Sequence, residues 1–185
     1  RIVIENKLNF SLIDVIAKCA ELLGSRVKSK DTVSQVCDYI FNRLKAYYQD
    51  QGIGAEIFQA VLSVKPESLL DFDLRVKAVQ QFKQLPEAED LAAAYKRVSN
   101  ILSKADIVSG SVNPELLQEP AEQQLVAHLA TLKPQIDSCY QQGQYSQALS
   151  KLAELRADVD TFFEKVMVNA PDPALQHNRL LILQK

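Results

Sequence analysis

The sequence predicts an all-α protein: a bundle of seven to eight helices with one long antiparallel helix pair. Three observations lead there. Nearly every apolar stretch repeats at three- and four-residue spacing, the period of a helix with one buried face. Ala, Leu, Gln, Lys and Glu, all good helix formers, are frequent, whereas there are only five glycines and no tryptophan in 185 residues. No hairpin dipeptide such as Asn-Gly and no alternation of strands with helices is visible. Apolar residues make up 47% of the chain, which excludes disorder. The length suits one well-cored domain, so a single helical domain over 1–185 is expected.

In chain order, Arg1–Phe10 is short and mixed, with Ile2 and Ile4 alternating, and reads as an extended arm. A helix follows over Leu12–Leu23, with Ser11 as its cap, Asp14 three residues on and Gly24 as its stop. Arg26–Lys30 is a basic loop. The next helix runs from near Asp31 to about Gln51, with Val33, Val36, Cys37, Ile40, Leu44, Tyr47 and Tyr48 on one arc. Its tyrosines suit core packing and can also stack on unpaired bases. Gly52 and Gly54 make a turn before a helix over Ala55–Val64, and Lys65–Leu70 is a loop. A helix over Asp71–Gln84 lines up Phe72, Val76, Val79 and Phe82, and Arg75 stands four residues after Asp71, where an ion pair is expected.

Pro86 opens a helix whose inward arc is Leu91, Ala94, Tyr95, Val98, Ile101 and Leu102. Its outward arc carries Lys96, Arg97, Asn100 and Lys104, three cations and an amide with no acid between them. Such a face can contact phosphates or can simply be solvated. A loop over Ala105–Asn113 and a turn at Pro114 lead to a helix over Pro120–Gln141, which Pro134 is expected to kink. After Gly143 a long helix over Ser146–Val168 should return antiparallel to it. Phe162, Phe163, Val166 and Met167 share one face there. Two prolines then break the chain, and Asp172 caps a last helix beginning at Pro173. Leu175, Arg179 and Ile182 share a face of it. An arginine beside an apolar stripe needs an acceptor, for which Asp172, Glu164 or an RNA phosphate qualifies.

Composition also limits the chemistry. The net charge of −2 argues against nucleic-acid binding through bulk charge but leaves room for a local basic face. Cys19, Cys37 and Cys139 form no CxxC motif and read as small core residues of a reducing cytoplasm. His128 and His177 stand in no metal-ligand spacing. There is no glycine-rich phosphate loop and no nucleophile with a recognisable base. Catalytic and metal-binding residues are therefore expected to be absent. No apolar run reaches the roughly 18 residues of a membrane span, so a membrane is not an expected partner; DNA is not expected either. The chain starts on Arg1 and stops on Lys185 without a cap, and is expected to be a piece of a longer one.

Two strings carry a family resemblance. DFDLRVKAVQQF with LPEAEDLAAAYKRVSNIL, and later FFEKVMVNA with ALQHNRLLIL, resemble the end of the β subunit of bacterial glycyl-tRNA synthetases. That family closes with an all-helical anticodon-binding domain named for an Asp-Ala-Leu-Arg signature. Here those positions read Pro173, Ala174, Leu175 and Gln176, and Tyr95 replaces a residue that is usually small and polar. The resemblance implies anticodon-region binding of tRNA-Gly in support of ATP-dependent glycylation. It implies a separate α subunit holding the aminoacylation site, with no cofactor in this piece and ATP and Mg2+ used by the parent enzyme. Together with the basic arc it nominates Lys96, Arg97, Asn100, Lys104, Asn178 and Arg179 as RNA contacts. The reading from another class is a helical protein-interaction module whose long helix pair docks a partner subunit.

Overall fold

Helices whose caps are written into the sequence form where the sequence places them. The computed structural model describes residues 1–105 and 109–185, and these are helical with no strand among them. The single expected domain divides into two compact units, Arg1–Gln81 and Phe82–Lys185.

The first unit contains α1 (Ile2–Glu5), α2 (Leu12–Leu23), α3 (Thr32–Asp50), α4 (Ala55–Ser63) and α5 (Leu69–Phe82, which ends one residue into the second unit). The arm expected over Arg1–Phe10 starts instead with the helical turn α1. Arg1 pairs with Glu5 across that turn at 2.7 Å, and Asn6 donates to the carbonyl of Ile2. The alternation of Ile2 and Ile4 misleads because only Ile4 is buried, while Ile2 stays in solvent. Ser11 accepts from the backbone of Asp14 at the start of α2, and Gly24 ends it with a φ of 54°, a conformation glycine adopts without strain. Ser68 accepts from the Asp71 amide and starts α5 two residues earlier than expected. The Arg75–Asp71 pair forms at 2.9 Å.

The first core is aromatic. Tyr48, Phe58 and Phe72 lie with ring centroids 5.1–6.0 Å apart in tilted and edge-on pairs, and Phe41 adds a fourth ring 5.3 Å from Phe72. Leu44, Ile57, Val61, Leu69 and Val76 surround them. Tyr48 is fully buried and Tyr47 stacks edge-on against it, so these tyrosines belong to the core.

The second unit holds α6 (Ala88–Leu102), α7 (Pro120–Gln141), α8 (Tyr145–Ala153), α9 (Arg156–Lys165) and α10 (Pro173–Leu183), with a 3-10 turn at Pro114–Leu116. Of the loop expected over 105–113, residues 106–108 lie outside the described residues. α7 runs unbroken past Pro134. The chain returns antiparallel to α7, as pairs of side chains show: Lys151 reaches Gln135, and further along Asp158 reaches both His128 and Gln124.

That return is two helices rather than the continuous one expected over Ser146–Val168. At Glu154 and Leu155 the hydrogen bonds tighten to i→i+3 spacing, onto the carbonyls of Lys151 and Leu152. Both residues keep right-handed helical angles and Leu155 is buried. α9 then stops at Lys165 because the chain turns extended at Val166, with Val166 and Val168 buried and Met167 68% exposed between them. Period-two burial is what an extended segment imposes, so Met167 does not share a helix face with Phe162.

Candidate functional site

α6 places its cations as its period requires. At about 100° per residue, Lys96, Arg97 and Asn100 fall within about 100° of arc, Lys104 follows in the turn after α6, and all four are exposed. Tyr95, expected on the inward arc, is 74% exposed. It sits at the margin of that arc, beyond Leu91 and Leu102, where the ring is not covered.

The four exposed residues do not form a flat face. With Ala93, Ile101 and Ala105 from the α6 side, and Asn169 and Gln176 from the segment before α10 and its first turns, they line a concavity of about 710 Å³. Its described lining holds three cations and three amides and no carboxylate. Gln176 Nε2 approaches Asn169 Oδ1 to 3.5 Å. Cations hold phosphate oxygens, and amides both donate and accept, as a base edge requires.

Arg97 stands on the ridge of this concavity. Its guanidinium lies 4.1 Å above the ring of Phe163, which α9 presents. On the other side of the ridge is a smaller concavity of about 390 Å³ whose lining includes Asp90, Asp160, Glu164 and Arg156. Arg156 is paired there with Asp90 and stands 3.6 Å from Asp160. The positive surface is therefore bounded, and Phe163, which lines the smaller concavity, holds Arg97 at the boundary between the two.

Asn178 and Arg179, nominated with these residues from the sequence, are both turned inward by the fold. Asn178 is 2% exposed. Its Oδ1 accepts from the Asn113 amide at 2.7 Å and its Nδ2 donates to the Asn113 carbonyl at 3.1 Å. Arg179 Nε donates to Glu122 Oε1 at 2.6 Å and its Nη1 to the Met167 carbonyl at 2.9 Å. Its acceptors are thus Glu122 and a backbone carbonyl rather than Asp172, Glu164 or a phosphate. Asp172 instead caps α10, accepting from the Ala174 amide at 2.8 Å. Neither Asn178 nor Arg179 lines the concavity.

Sequence reasoning misses Asn169 and Gln176. Both lie in the closing string, but nothing in their spacing ties them to Lys96, more than seventy residues earlier. Among the described residues no group of three or more His, Cys, Asp or Glu side chains is arranged to hold a metal ion. No described helix is long and apolar enough to cross a membrane.

Comparison with known proteins matches a family to this part of the chain and relatives to nearly all of it. Residues 91–185 match the DALR anticodon binding domain family. The chain is 47% identical over 183 residues to a protein named glycine–tRNA ligase beta subunit from Actinobacillus pleuropneumoniae, covering 99% of this chain and 27% of that one. Proteins of the same name from Haemophilus influenzae and Tolumonas auensis are also 47% identical, each again 27% covered. The chain thus spans about a quarter of the length of these curated relatives.

Proposed function

The chain belongs to the DALR anticodon binding domain family, and from that premise we propose that its second unit binds the anticodon region of tRNA-Gly as part of the β subunit of a glycine–tRNA ligase. The observation that carries the reading is the concavity of Lys96, Arg97, Asn100, Lys104, Asn169 and Gln176, free of carboxylates among its described lining and located inside the matched residues. In this reading the three cations take phosphates and the amides face the bases. The overall charge of −2 keeps the rest of the surface from binding RNA indiscriminately. ATP and Mg2+ would be used elsewhere in the enzyme, in glycylation by an α subunit, and the site of action would be the cytoplasm.

The test is tRNA-Gly binding at two salt concentrations. Lys96→Ala with Arg97→Ala is expected to weaken binding at least tenfold near 0.1 M salt and to lower the salt slope by about two, roughly one for each cation removed from a phosphate. The melting temperature should fall by no more than a few degrees, because both side chains are exposed and only the Arg97–Phe163 contact is lost. Unchanged affinity and slope would reduce the basic face to solvated surface.

One observation favours the second reading, a docking module. α2 exposes Val15 and Leu22, 44% and 77%, seven residues apart and so on one face of the helix, on the first unit rather than on the long helix pair. Binding of the α subunit that is lost in Val15→Glu with Leu22→Glu, while tRNA binding stays intact, would establish it.

A further inference from the structure

Glu122 and Arg179 do not line the concavity, and we propose that they are a positioning pair: they hold its amide-bearing wall in place for RNA. The inference rests on the tRNA reading and deepens it.

The concavity has two walls of different make. α6 supplies Lys96, Arg97 and Asn100 from one regular helix, and Lys104 follows in the turn at its end, its amide on the Ile101 carbonyl at 3.2 Å. The other wall is Asn169, in an irregular stretch between α9 and α10, and Gln176, in the first turns of α10. An irregular stretch has no helical ladder to hold it, so its backbone needs partners from elsewhere. Arg179 supplies one. Through Nη1 it holds the Met167 carbonyl, two residues before Asn169, and through Nε it ties α10 to Glu122. Glu122 is itself held, since its other oxygen accepts from the Glu119 amide at 2.8 Å at the start of α7. Gln176 lies three residues before Arg179, one turn back along α10. A single guanidinium thus joins the irregular stretch, α10 and α7.

Stability alone is a poor reason for such a pair. Its side chains are only 8% and 0% exposed, and removing two charges from water costs about as much as their attraction returns, so apolar replacements of similar volume are often neutral or better. What leucine or methionine cannot supply is two directed donors at fixed angles. The pair therefore supplies geometry, and the geometry it sets is that of Asn169 and Gln176.

The test is a double-mutant cycle in the purified protein with a tRNA-Gly transcript as probe, each variant melted in parallel. Glu122→Met with Arg179→Met is expected to keep its melting temperature within a few degrees and to bind about tenfold more weakly, the loss expected for two amide hydrogen bonds. Its salt slope should stay at the parent value, since no cation facing phosphate is removed. Asn169→Ala with Gln176→Ala should cost the same tenfold alone and nothing further in the Met/Met background. If the Met/Met variant does not fold, Arg179→Lys serves instead. It keeps the charge opposite Glu122 but lacks the fork, and it should show the same loss and the same lack of additivity. A folded variant that binds like the parent, or losses that multiply, would overturn the inference. If Lys96→Ala with Arg97→Ala also leaves binding unchanged, the tRNA reading falls with it. If those cations matter and the pair does not, only the present inference falls.

Discussion

The two units bury polar groups to different ends. In the first, one buried polar group serves a packed set of rings: Tyr48 donates to Asp73, 25 residues on, at 2.9 Å, and Lys77, one turn along α5, takes the other Asp73 oxygen at 2.7 Å. In the second, the core is mostly aliphatic, with Leu125, Leu132, Leu155, Val166, Leu180 and Ile182 around Phe162. Its buried polar side chains tie segments 30 to 65 residues apart: Asp158 to His128, Arg179 to Glu122, Asn178 to Asn113. Rings packed at many angles tolerate small displacements. A directed hydrogen bond between distant segments does not, and it fixes where loops and helix ends lie. The cationic concavity is found in the unit built the second way.

The largest expected effect tests the ring-packed side of this contrast. Phe72 is fully buried against Phe41, Tyr48 and Phe58. Phe72→Ala should cost about 3–5 kcal/mol, read as a fall in the urea midpoint, because neighbouring rings cannot collapse into the space left. Phe72→Leu should cost less than half as much if packing volume rather than direction is what matters there.

Next in size is the polar counterpart. Asn178→Ala leaves the Asn113 amide and carbonyl without their partner and should cost about 2–3 kcal/mol. Asn178→Asp still accepts from the amide but has no donor for the carbonyl, so it should fall between the alanine variant and the parent. Equal losses for Asp and Ala would mean that direction matters less in this unit than the contrast holds.

A smaller effect, with a pH signature, belongs to Tyr48. Burial, and then the neighbouring Asp73 carboxylate, raise its phenol above the ordinary value of 10.0. Its protonated form is favoured by folding, so the contribution is complete below pH 10 and is lost as pH rises beyond it. Tyr48→Phe should cost about 1–2 kcal/mol at pH 8, and the gap to the parent should narrow above pH 10. Comparing the two proteins cancels the lysines and other tyrosines that titrate in both. A gap that does not change with pH would mean that folding does not favour the protonated phenol.

Local chemistry is legible in the sequence and distant pairing is not. Ser11, Asp14 and Gly24 delimit α2 because a cap and a stop act within four residues, and Asp172 with Pro173 start α10 for the same reason. Arg75–Asp71 is legible as an i,i+4 pair. The break at Glu154–Leu155 has no glycine or proline to announce it. Arg179 visibly needs an acceptor, but Glu122 lies 57 residues away and looks like an ordinary acid in a first helical turn. The cations of the concavity are legible because one helix and the turn that ends it carry them. Its second wall is not, because folding alone brings Asn169 and Gln176 opposite them. Gln176 occupies the last position of the Asp-Ala-Leu-Arg signature, so its departure from arginine falls on the concavity itself, while Asp172 caps the helix from one residue before the signature's first position.

The smallest effect asks whether the cationic wall also depends on direction. Arg97 lies over Phe163 on a ridge with amides and lysines on one side and Asp90, Asp160 and Glu164 on the other. A long side chain in that position has two electrostatic destinations, and the ring holds it between them. Phe163→Leu keeps apolar packing against Phe162 but removes the π face, which at an exposed site contributes about 0.5–1 kcal/mol. Binding of tRNA-Gly should therefore weaken about two- to fivefold, with the salt slope unchanged because the charge is still present. Arg97→Ala should instead lower both affinity and slope. If Phe163→Leu loses as much slope as Arg97→Ala, the guanidinium has crossed to the carboxylates, and the ring acts as a barrier between two charged surfaces. If it changes neither quantity, Arg97 needs no orientation, and the cationic wall, unlike the amide wall, works by charge alone.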